Sequence, residues 1–81
     1  MNERLLNKGK LLELRNKQRE LDLQASAMLV TIRTILNPYE ESLTLIDTEK
    51  ALIMMQKLHE IVTDLKKIKT QIKNLEENLY G

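Results

Sequence analysis

Eighty-one residues with a formal net charge of +1 suit one small domain, and a chain 42% hydrophobic and 31% charged argues against disorder. The absence of cysteine excludes disulfides, thiol nucleophiles and thiolate metal sites, and two glycines leave no phosphate-cradling loop or dinucleotide fingerprint. With Tyr39 and Tyr80 as the only aromatics, any core is built from Leu, Ile, Val and Met, which suits helix–helix seams better than a sheet.

The first element is a helix over about residues 3–36. Its best seam is Leu11, Leu14, Gln18, Leu21, Ala25, Met28, Ile32 and Ile35, stepping by three and four as a coiled-coil stripe does. Gly9 weakens the first turns, since glycine costs ~1 kcal/mol relative to alanine inside a helix. Gln18 interrupts the apolar run. It reads either as a polar side chain tolerated at the seam edge or as a polar core position that sets register.

Asn37-Pro38 ends this helix, because proline cannot continue it and disfavours the α conformation at the residue before. Asn37, Pro38 and Glu40 fit the N-cap, N1 and N3 positions of a capping box, which predicts a short helical turn near 38–43 inside a connection spanning 37–46. A second helix start lies at Asp47 or Thr48.

The second helix covers about residues 47–79. Met54, Leu58, Ile61, Leu65, Ile68, Ile72, Leu75 and Leu79 alternate spacings of four and three without a miss. Such a seam faces one partner helix. Helices of about 33 residues would each be ~50 Å long, and a short connection makes them antiparallel neighbours. The expected fold is all-α: a long antiparallel two-helix hairpin close to a coiled coil, forming a single domain over residues 1–81.

Near the turn the apolar surface is wider than one partner helix can cover. Ala51, Leu52, Ile53, Met54 and Met55 are consecutive, Val62 follows Ile61, and Leu29, Val30 and Leu36 accompany the seam of the first helix. Leu29, Val30, Leu36, Leu52, Ile53, Met55 and Val62 are therefore the candidate protein-interface residues. Three arrangements would bury them. The 38–46 segment could fold back with Leu43, Leu45 and Ile46; a second copy could pair with the hairpin into a four-helix bundle; or another protein could supply the helices. The homodimer is the favoured expectation, since a core this small benefits from association and no disulfide is available.

Charge is sorted along the chain. Residues 1–36 carry seven basic and four acidic groups, residues 37–64 two basic and six acidic, and residues 65–81 four basic and two acidic. Folding the hairpin makes its open half basic and its turn acidic. An antiparallel second copy would bring an acidic turn alongside a basic half, which selects orientation more than affinity. Alternatively Arg15, Lys17, Arg19, Lys66, Lys67 and Lys69 form a patch for an external anion such as nucleic acid. That reading is the weaker one, because net charge is small and no aromatics interleave with the basic residues to stack on bases.

Chemistry is hard to place. His59-Glu60 begins like a zinc-protease motif, but Thr63 stands where the second histidine belongs. Ser26 and Ser42 have no evident base, and the Glu40-Glu41 pair suits a helix N-terminus. No catalytic, cofactor-binding or metal-ligating residue is expected, and no cofactor. Residues 1–10 are charged with no signal-peptide core after them, and no apolar run approaches the ~20 residues of a membrane span, so a cytoplasmic protein is expected. The functional expectation is a non-enzymatic protein–protein interaction module, acting as an adaptor, accessory chaperone or assembly subunit through itself or a helical partner. The alternative is a nucleic-acid-associated regulator.

Overall fold

The computed structural model describes residues 3–80. Two helices of equal length, α1 (Glu3–Ile35) and α2 (Thr48–Tyr80), run antiparallel and pack along their lengths. The rod measures 63 × 18 × 14 Å. The all-α hairpin expected from the heptads is the observed fold, with no strand among the described residues.

The two stripes form the interface. In α1, Leu11 and Ile32 are buried and Leu14, Gln18, Leu21, Ala25, Met28 and Ile35 are half-buried. In α2, Ile68, Ile72 and Leu79 are buried, while Met54, Leu58, Ile61, Leu65 and Leu75 are half-buried. Ala51 extends the stripe toward the turn and Asn7 extends it toward the open end. Read outward from the turn, the stripes keep the same three-four spacing step for step, from Ile35 on α1 and Ala51 on α2 to Leu11 and Leu75. Leu11, Ile68, Ile72 and Leu79 form the main cluster, with Leu14, Leu21 and Leu75 packed against it. No described side chain is wholly enclosed, as expected when only two helices share a core.

Local chemistry sets the helix ends. At the end of α1, Leu36 N–H donates to the Ile32 carbonyl at 2.9 Å and Asn37 N–H to the Thr34 carbonyl at 3.4 Å, and Pro38 stops the helix there. At the start of α2, Asp47 is the N-cap: its Oδ1 accepts the Lys50 N–H at 3.0 Å and its carbonyl accepts the Ala51 N–H at 3.1 Å. The Thr31, Thr34, Thr63 and Thr70 hydroxyls bond back to the carbonyl four residues earlier, so these mid-helix threonines leave no buried hydroxyl unpaired.

The connection departs from the capping box. Asn37 starts a tight turn: its carbonyl accepts the Glu40 N–H at 3.1 Å and its Oδ1 accepts the Tyr39 N–H at 3.1 Å. The Glu40 carboxylate turns forward to the Ser42 N–H at 3.3 Å and not back to Asn37. The helical turn of the connection is a single 3-10 turn at Leu43–Leu45, not 38–43. Asparagine after a helix serves as an Asx-turn residue as readily as an N-cap, and sequence spacing alone does not separate the two.

Candidate interaction surface

The rod has two flanks beside its seam, and they differ. On one flank, Arg15 donates to Glu76 Oε1 at 2.6 Å, and Gln18, Arg19, Asp22 and Ile72 line the same open cleft. Both partners of that ion pair are almost half exposed, so it contributes ~0.2–1 kcal/mol and serves mainly to mark which side chains face each other. On the other flank, Lys10, Glu13 and Lys17 face Gln71 and Asn74, and Lys17 shares a cleft with Asp64 and Lys67.

Heptad steps carry each flank toward the turn. From Arg15, steps of seven reach Asp22, Leu29 and Leu36; from Glu76 they reach Lys69, Val62 and Met55. The flank bearing the ion pair is thus charged in the open half and apolar in the turn half. The opposite flank steps from Lys10 and Lys17 to Gln24 and Thr31, and from Gln71 and Asp64 to Lys57 and Lys50, so it stays polar throughout. The asymmetry follows from the chain itself: one lateral heptad position changes character at the middle of the rod and the other does not.

Most of this apolar flank is open to solvent. Leu29, Leu36 and Met55 are 38%, 45% and 46% exposed, and Leu52, one turn before Met55 on the adjoining strip of α2, is 62% exposed. Val62 is half-buried between this flank and the seam. Val30 and Ile53 are also exposed, but they lie elsewhere. At ~100° per residue, Val30 is a quarter-turn from Leu29 and Ile53 is nearly opposite Met55. Five of the seven expected interface residues therefore share one face, and two stand apart from it.

The connection leaves this face uncovered. Leu43 and Leu45 are 76% and 72% exposed, and of the three candidate lid residues only Ile46 is half-buried. The fold-back arrangement is not realised, and the turn adds exposed apolar side chains of its own. Leu5, Leu6, Leu12 and Leu23 are also exposed on α1, outside the residues expected at the interface. Leu5 and Leu12 are a heptad apart and in line with Arg19, a spacing that was available as a signal.

The six basic residues do not form one patch. All are exposed, but Arg15 and Arg19 lie on the ion-pair flank, with Lys69 on the same heptad track as Glu76 and Lys66 one turn before it. Lys17 and Lys67 lie across the seam beside Asp64. His59 is exposed, and its carbonyl accepts the Thr63 hydroxyl at 2.9 Å. No group of three or more His, Cys, Asp or Glu among the described residues is placed to hold a metal ion, and no described helix is long and apolar enough to cross a membrane.

No family model matches the chain, and comparisons with curated proteins and with solved structures find no similar one. The functional reading therefore rests on the surface alone.

Proposed function

We propose that this chain is a non-enzymatic protein–protein interaction module whose turn-proximal half completes a four-helix bundle with another helical pair. The observation that supports it is the exposed apolar flank of Leu29, Leu36, Leu52 and Met55, contiguous with the half-buried Val62. Contiguous apolar surface of this kind marks interaction sites, whereas single exposed leucines such as Leu23 are ordinary. Its shape matters as well: a straight strip between two antiparallel helices accepts another helix in the groove. Such a module serves as an adaptor, an accessory chaperone or an assembly subunit, working by binding and not by turnover.

The test is particle mass by light scattering with helicity by circular dichroism. Met55→Glu places a charge in the flank, outside the buried stripe. It should abolish association and leave helicity near the parent level. A parallel loss of helicity would instead put Met55 in the hairpin's own core. The nucleic-acid reading has less support, because Arg15 is engaged by Glu76 and the remaining basic residues are divided between two flanks.

A further inference from the structure

We infer that the occupant of the apolar flank is a second copy of this chain, lying antiparallel, with its acidic turn seated on the basic cluster Arg19, Lys66 and Lys69. This rests on the four-helix-bundle reading and adds to it a partner, an orientation and a polar contact.

Distances along the rod select this orientation. The flank from Leu29 to Leu36 on α1, with Leu52 to Val62 on α2, has its centre about 28 residues from the open end, or ~42 Å at 1.5 Å per residue. In a rod 63 Å long the turn tip then lies roughly 20 Å beyond that centre. Arg19 and Lys66 lie about the same distance from the centre on the other side, and Lys69 lies about one turn beyond Lys66. A two-fold axis through the centre and perpendicular to the rod sets apolar flank on apolar flank. It simultaneously places the turn of each copy beside Arg19 and Lys66 of the other.

The charges favour that result. Glu41, Asp47 and Glu49 are exposed at the turn, within the segment that carries six acidic and two basic groups. Arg19, Lys66 and Lys69 are exposed on the flank that receives them, where they outnumber the exposed Asp22 beside Arg19. Turn-to-turn packing through the same flank would oppose acid to acid at one end and base to base along the other. An isologous antiparallel contact avoids both and closes as a dimer. It also leaves the basic open halves projecting from opposite ends, for a particle about 85 Å long against 63 Å for one hairpin.

The experiment uses the full chain labelled with a nitroxide at Ser42→Cys, which is a unique thiol because the chain has no cysteine. Electron–electron dipolar spectroscopy should give an intermolecular distance of about 40 Å, twice the offset of the turn from the axis. Arg19→Glu with Lys66→Glu should weaken dimerisation about tenfold, as should Glu41→Lys with Glu49→Lys, and mixing the two variants should restore it. A distance near 15 Å, the spacing of side-by-side turns at helix-packing separations of about 10 Å with label arms added, overturns the antiparallel pairing while leaving a bundle in place. Failure of the mixed variants to restore association overturns it in the same way. A monomeric mass with no intermolecular distance overturns the second copy as occupant and assigns the flank to a different helical protein.

Discussion

Gln18→Leu should make the hairpin more stable. Gln18 occupies a seam position, falls at the same step from the turn as the buried Ile68, is half-buried, and has no hydrogen-bond partner among the described residues. Full burial of a leucine side chain contributes about 1.5–3 kcal/mol, so half burial contributes about 1 kcal/mol, and removing a partly desolvated amide acts in the same direction. For a chain of this size 1 kcal/mol raises the melting temperature by roughly 4–8 °C. The assay is thermal and urea unfolding followed by circular dichroism, at one protein concentration because any self-association would shift stability by mass action. The mass should be measured alongside. A rise in stability at unchanged mass identifies Gln18 as a tolerated edge residue. Greater stability with a new oligomeric state identifies it as a register-setting position. A fall in stability would refute the step-for-step match of the stripes, because it would mean that Gln18 does not face the α2 seam.

Three further substitutions probe separate parts of the account. Gly9→Ala should stabilise by about 0.5–1 kcal/mol, since Gly9 lies inside α1 and an added Cβ meets nothing within 4 Å; an unchanged or lower melting temperature would count against a helix at that point. Asp47→Ala should cost about 1 kcal/mol by removing the bond to the Lys50 N–H, whereas Asp47→Asn should cost less, a ranking that urea midpoints can check. Ile53→Glu should leave mass and helicity near those of the parent, because Ile53 is nearly opposite Met55 on α2 and outside the apolar flank. Dissociation by Ile53→Glu would move the interface to the other side of the rod.

The periodicity carried most of the fold. Every member of both stripes read from the sequence is buried or half-buried, and Asp47 was already visible as a helix start, because a sustained three-four alternation has only one helical interpretation. The connection was less legible. Asn37, Pro38 and Glu40 satisfy either a helix start or an Asx turn, and only the backbone path decides between them. Composition located the widened apolar end but not its face. Leu29, Val30, Leu36, Leu52, Ile53, Met55 and Val62 look equivalent as a list, and dividing them required knowing which flank holds Arg15 and Glu76. The basic residues fared similarly: a cluster in sequence became two groups once the seam ran between Lys17 and Arg19. Heptad lettering assigns residues to flanks only after the partner helix and its direction are known.

The role of the apolar flank depends on whether the turn-proximal half pairs with a second hairpin. Light scattering after gel filtration measures this directly. The parent should show twice the mass of the 9.5 kDa chain, and Met55→Glu should return to the single-chain mass with its helices intact. A parent that remains at 9.5 kDa at high micromolar concentration would contradict the pairing of two copies.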